Sequence, residues 1–311
     1  MRTTVTLAAL ALALSACQAT TPADSTQSTT SAASDASGTS TQALTIVAST
    51  SIWADVAKEV VGEDDAAISA IVTGNSIDPH TFEPTAQDIA AAQQADIVLV
   101  GGGGYDAWLY EAVNQSKVIS AMDLTTHDHD HDHEHEHEHE HEHDAEGNEH
   151  IWYELHAVEE LAQSLAERAT ELAPEATVDT AEFGEQLEAL EQRLSALPEK
   201  RVVQTETIAD YLIADSSLQE VTPEGYRSAT LSHSEPSAAD LAAMLEMISG
   251  GQVDIVVFNP QTQTDTAQRI REAAEAANVQ VVEVYETPSE GESYLEFVTS
   301  AIERLEAATR A

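Results

Sequence analysis

Between His127 and Asp144 the chain reads HDHDHDHEHEHEHEHEHD, a strict alternation of imidazole and carboxylate with no apolar residue. Its histidines are His127, His129, His131, His133, His135, His137, His139, His141 and His143. Such a run has no hydrophobic surface to offset the entropy of ordering it, so it cannot build a core. What it offers is nitrogen and oxygen donors suited to zinc and neighbouring divalent metals. The tract is expected to be a metal-collecting loop, with a solvated low-complexity spacer as the plain alternative. An HExxH pattern occurs within it as His133, Glu134 and His137. That motif requires a packed helix holding two histidines on one face, and an alternating polar tract satisfies it trivially.

Outside the tract, four residues have ligand chemistry at informative places: His80 in SIDPHTFEP, His150 in NEHIWYELH, Glu206 in VVQTET and Glu286 in VVEVYET. Two imidazoles and two carboxylates around one divalent cation carry no net charge, so such a site could be desolvated without leaving a charge unpaired. Taken singly, a loop histidine is usually just exposed and an acid after a strand is often a helix cap or a solvated residue, so the combination is stronger than its members. His156 follows His150 by one and two-thirds helical turns, so the two cannot readily face one ion. His233, in LSHSEP, is a loop histidine and the reserve ligand should Glu206 not serve. Gly101 to Gly104 has neither the dinucleotide-binding spacing nor the Lys-Ser/Thr pair of a phosphate loop and reads as a turn.

These candidates must be positioned by the elements around them. Short apolar runs at Leu44 to Ala48, Ile68 to Val72, Asp96 to Val100 and Val118 to Ser120 predict strands. Helical patterns lie between them: Ile52 to Val61, with Ser51 as cap and Gly62 as stop; a segment capped by Thr85 with Asp88 as its capping-box acid; and Ala107 to Val113. After the tract, two helical segments, His156 to Ala173 and Val178 to Leu197, are separated at Pro174. The second carries Phe183, Leu187, Leu190, Leu194 and Leu197 at helical spacing. Strands then recur at Val202 to Gln204, Val253 to Phe258 and Val279 to Val284, with helices at Ile208 to Ala214, Ala238 to Ile248, Thr266 to Ala276 and Tyr294 to Ala308. This alternation predicts two α/β halves, each a parallel sheet flanked by helices, joined by a helical connector. Ligands of open α/β sheets bind beyond the carboxyl ends of the strands, where His80, Glu206 and Glu286 fall.

With 12 Lys and Arg against 56 Asp and Glu, the 311-residue chain has a formal charge of −44. A surface that negative repels nucleic acid and anionic lipid and favours cations. The start, MRTTVTLAALALALSAC, combines Arg2, an apolar stretch from Val5 to Leu14 and small residues before a cysteine, the layout of a secretory signal. Leu14-Ser15-Ala16-Cys17 resembles a bacterial lipobox, which implies cleavage before Cys17 and lipid on that residue. Cys17 is the sole cysteine, which excludes disulfides within the chain and thiolate metal ligands in the body. Gln18 to Gln42 is rich in Ser, Thr and Ala and predicts a flexible tether.

The lipobox, DPHTFEP (Asp78 to Pro84), the histidine-rich insertion before EHIW (Glu149 to Trp152), the helical connector and YETPSEGESYLEF (Tyr285 to Phe297) together resemble the metal-binding lipoproteins of bacterial zinc and manganese ABC transporters, the cluster A-I type. The resemblance implies a metal cleft between two lobes joined by a long rigid helix, with His80, His150, Glu206 and Glu286 as ligands. It also implies a membrane permease with its cytoplasmic ATPase as partner, and Asn259 and Gln261 near the cleft. Many zinc members carry a third histidine where Glu206 stands, and many manganese members carry a carboxylate there. The ligand set therefore leans toward manganese while the tract leans toward zinc.

The expected organisation is a signal peptide at 1–17, a tether at 18–43, a first lobe at 44–175 containing the loop 127–144, a connecting helix at 176–199 and a second lobe at 200–311. The expected function is a monomeric, lipid-anchored, extracytoplasmic binding protein, not an enzyme, that captures Zn2+ and delivers it to the permease. A manganese or iron carrier is the alternative within that class. A zinc hydrolase would need three protein ligands, an open water position and a general base, and a fourth protein ligand closes that position. A metal buffer or adhesin would use the tract alone.

Overall fold

A computed structural model describes residues 43–62, 64–75, 81–122 and 147–310. Cys17, His80 and the nine tract histidines lie outside the described residues. The segment from Gln42 to Ala311 forms one unit, built on two four-stranded parallel sheets.

The first sheet contains β1 (Leu44–Thr50), β2 (Ala66–Val72), β3 (Ile97–Val100) and β4 (Val118–Ser120) in the order β2-β1-β3-β4. Its helices are α1 (Ser51–Val61), α2 (Ala86–Gln94) and α3 (Ala107–Tyr110). Two longer helices follow, α4 (Leu155–Leu172) and α5 (Ala181–Ser195). The second sheet contains β5 (Arg201–Gln204), β6 (Gln219–Glu220), β7 (Ile255–Phe258) and β8 (Gln280–Glu283), and its order, β6-β5-β7-β8, repeats the first. It is accompanied by α6 (Asp210–Ala214), α7 (Glu224–Leu231), α8 (Ala238–Ser249), α9 (Asp265–Ala277) and α10 (Tyr294–Arg310).

Alternation of side chains along the strands explains why both sheet faces are covered. Ile46, Ile97 and Leu99 face a large central cluster, while Val47, Val98 and Val100 face a smaller outer one with Leu109 and Ala92. In the second sheet, Val202, Ile255 and Val257 face the same central cluster, and Val203 and Val256 pack outward with Met244, Ile248 and Ile270. The central core thus runs through both sheets. Phe183, Leu187 and Leu194 of α5 and Val158 and Leu165 of α4 belong to it, as do Val298 and Ile302 of α10.

Several boundaries differ from the sequence reading for local reasons. The α1 N-cap is Thr50, not Ser51, and no side-chain bond forms there. The helix does stop at Gly62, whose φ of 77° suits glycine. The Thr85 and Asp88 capping box is present, with the Thr85 amide 2.8 Å from the Asp88 carboxylate. Helix α5 begins at Ala181 because Asp179 donates its backbone N–H to the Val60 carbonyl at 3.0 Å, which holds the preceding residues against α1. Strand β6 and helix α7 had no readable apolar pattern: β6 is two residues long, and Tyr226 is the buried residue of α7.

Candidate metal centre

The repeated strand order places a topological switch between β1 and β3 in one sheet and between β5 and β7 in the other, and ligand-binding crevices open at the carboxyl ends of such strand pairs. Glu206 lies two residues beyond β5 in extended backbone, φ −158° and ψ 169°, and opens the 3-10 turn Thr207–Ala209. Its Oε2 accepts a hydrogen bond from Thr262 at 2.6 Å, and its Oε1 accepts one from the Asn259 side-chain amide. Asn259 follows β7 directly.

Glu286, three residues past β8, is fully buried. Burying a carboxylate costs several kcal/mol unless donors surround it. Here Asn259 Nδ2 lies 2.7 Å from Oε1 and the Tyr105 hydroxyl 3.3 Å from Oε2. The backbone at this point is fixed by Gln261, whose side-chain oxygen accepts the Glu286 N–H at 2.8 Å.

His150 comes from the segment that leads into α4 and is also buried. Its Nδ1 is 2.7 Å from Asn148 Oδ1, and its ring meets Trp152 edge-on at a centroid separation of 5.3 Å. Trp152 packs in turn on Tyr105, 4.9 Å between centroids. The two aromatic residues therefore tie the histidine segment to the loop after β3.

His150, Glu206 and Glu286 each present a ligand atom such that these atoms all lie within 4.8 Å of one another. Two carboxylates this close repel each other, and a divalent cation between them relieves the repulsion. A cleft of about 20 Å³, lined by Asn148, Glu149, His150, Glu206 and His233 among others, opens beside them. That volume suits one ion or water rather than an organic ligand.

The other sequence candidates fall elsewhere. His156 is exposed, 3.5 Å from Glu160 on the same helix. His233 is exposed with φ 50° and sits 3.7 Å from Glu149, at the rim of the small cleft. Gly101 to Gly104 forms a turn, and the N–H groups of Gly101 and Gly102 donate to Asp106 at 2.7 and 2.9 Å. Ser49 adds a third donor at 2.7 Å. The amides of this glycine turn are thus taken up by the chain's own carboxylate. Burial nevertheless outweighs these donors and raises the Asp106 pKa to about 6, with the Glu149 charge contributing in the same direction.

Sequence reasoning missed Tyr105, Asn148 and Thr262 as groups that hold the candidate ligands. Only Asn148 carried a local signal, two residues before His150.

Residues 46–308 match the family described as zinc-uptake complex component A, periplasmic. The chain is 25% identical to the zinc-binding lipoprotein AdcA of Streptococcus pneumoniae over 272 residues, covering 81% of this chain and 53% of AdcA. It is 35% identical to the manganese ABC transporter substrate-binding lipoprotein PsaA of Streptococcus anginosus over 83 residues, 25% of this chain and 26% of PsaA. The chain thus spans about half or less of the length of these curated relatives. Among solved structures, the periplasmic zinc binding protein TroA from Treponema pallidum superposes with a TM-score of 0.64 at 17% identity, covering 86% of this chain and 99% of TroA, a likeness of fold. The family match extends from β1 to α10 and includes all three converging residues, so the chain belongs to the zinc-uptake complex component A family.

Proposed function

We propose that this chain is a binding protein, not an enzyme, that captures Zn2+ at His150, Glu206 and Glu286 and delivers it to an ABC transporter permease driven by a cytoplasmic ATPase. The observation that carries this reading is the convergence of one imidazole and two carboxylates within 4.8 Å. His80 is the proposed fourth ligand, and Cys17 the proposed lipid anchor holding a monomer at the outer face of the cell membrane. No helix among the described residues is long and apolar enough to cross a membrane. The proposed organisation is the signal at 1–17, tether at 18–43, lobes at 44–175 and 200–311, and connector at 176–199.

Metal choice sets two chemistries against each other. If both carboxylates chelate through two oxygens, the site can supply the oxygen-rich, six-coordinate shell that suits manganese, and PsaA, named for manganese, is among the relatives. With single-oxygen contacts, the same residues form a tetrahedral zinc site. Intrinsic affinity places zinc above manganese at any such site, and nine tract histidines concentrate zinc more than manganese. Zinc is therefore the proposed cargo.

Calorimetric titration tests both levels of the reading. His150→Ala, Glu286→Ala or His80→Ala should abolish tight zinc binding, and persistence of the tight site in all three would refute the site. Tight manganese retention against equimolar zinc, with 127–144 deleted to remove buffering, would install the manganese carrier instead.

A further inference from the structure

A metal-binding imidazole must present an unprotonated nitrogen, and its other nitrogen usually donates to a fixed acceptor. For His150 that acceptor is the side chain of Asn148, which is itself locked. Asn148 Nδ2 lies 2.6 Å from the Thr207 carbonyl and 2.8 Å from Asp210 Oδ2. Both are acceptors, so the NH2 group must face them and the amide oxygen must face His150. That oxygen also receives the His150 backbone N–H at 3.1 Å, and the Tyr211 hydroxyl holds the Asn148 carbonyl at 2.8 Å. Turning the amide over would set NH2 against N–H at one end and oxygen against two acceptors at the other.

Asp210 is held as firmly. Arg227 grips it with both terminal nitrogens, at 2.6 and 2.9 Å, and Gln204 donates to it at 2.6 Å. Gln204 is fixed in turn by the Ala209 N–H on its side-chain oxygen, 2.9 Å away. Asp210, Asn148 and His150 are all buried, so every group in this chain needs its partner.

Resting on the metal-site reading above, we propose that Asn148 and Asp210 are positioning residues that hold His150 with its proton on Nδ1 and Nε2 as the metal-binding nitrogen, with Arg227 anchoring the relay. The order of transmission is Arg227 to Asp210 to Asn148 to His150. Thr207, Asp210 and Tyr211, which bond Asn148 directly, and Arg227 behind Asp210 all follow β5 in the chain. The second half of the chain thus contributes to the site by orienting a ligand as well as by supplying carboxylates.

The test uses the full-length, chelator-treated protein. Nitrogen NMR of its histidine rings, with the His150 signals assigned by their loss in His150→Gln, should show the Nδ1–H tautomer at mildly alkaline pH. Asn148→Ala should scramble that tautomer and weaken zinc binding about 10–100-fold by calorimetry. Asn148→Asp sets two carboxylates side by side and should weaken binding as well. Should Asn148→Ala fail to fold, Asn148→Ser serves, since its one short hydroxyl cannot replace both N–H donors to Thr207 and Asp210.

An unchanged tautomer and affinity in Asn148→Ala or Asn148→Ser would overturn the proposal. His150→Gln separates the two levels: if it keeps tight zinc binding, the metal-site reading itself fails. If it loses binding while Asn148 variants keep it, only the positioning role fails.

Discussion

Asn259 donates its side-chain amide to Oε1 of Glu286 at 2.7 Å, and the same nitrogen also donates to Oε1 of Glu206. One neutral NH2 group therefore stands between two carboxylates that would otherwise repel each other, in the role a cation would fill more strongly. Asn259→Ala should destabilise the metal-free protein by about 1–3 kcal/mol, the cost of leaving buried acceptors unsatisfied. The zinc-loaded protein should lose less, because the ion takes over the compensation. Urea denaturation with and without zinc checks this, and an equal loss in both states would count against it.

Asp106 gives a pH signature with a definite sign. Its pKa is about 6 in the fold, against 3.8 for an ordinary aspartate, so the folded state binds the proton more readily than the unfolded state. Stability contributed by this group is greatest below the lower value, falls as pH rises through the window between them, and is flat above about 6. The loss at neutral pH is on the order of 3 kcal/mol. Asp106→Asn should flatten that segment of the profile. Comparing denaturation midpoints of both proteins from acid to neutral pH isolates the group, and parallel profiles would refute the assignment.

Tyr294 is buried and donates its hydroxyl to the Trp152 carbonyl at 2.8 Å, joining α10 to the segment that carries His150. Tyr294→Phe should cost about 1–2 kcal/mol through the abandoned carbonyl. Phe183→Ala removes a whole ring from the central core and should cost about 3–5 kcal/mol. Both variants should still unfold in one step in calorimetry, since both residues contribute to a core common to the two sheets.

Removing residues 127–144 should abolish several weak equivalents of zinc and leave the tight one. A chain that must be ordered whenever it chelates binds each ion less tightly than a preformed site. Loss of the tight equivalent in the calorimetric titration would shift the binding function into the tract.

The sheets were legible because parallel strands buried on both faces are written as continuous apolar runs, as in DIVLV and VDIVVF. The strand-end rule picked out Glu206 and Glu286, which the fold brings together with His150, while His80 lies outside the described residues. The groups that hold them were not legible. Tyr105 reaches Glu286 across 181 positions and Asn148 reaches Asp210 across 62, and no local periodicity encodes such pairings. The glycine run read as a turn, but its enclosure of Asp106 depends on Ser49, 57 residues away.

The apolar cluster that contains both Ile46 and Val202 gives the two halves a common fate. Both sheets pack into this one cluster, so free energy gained at the proposed metal site should be shared between the halves. At a metal concentration a hundred times Kd that gain is about 2.7 kcal/mol, which lowers the population open to proteases roughly a hundredfold. A cell short of metal would then clear the empty protein faster than the loaded one, so that the lifetime of the chain itself would report the supply of its cargo.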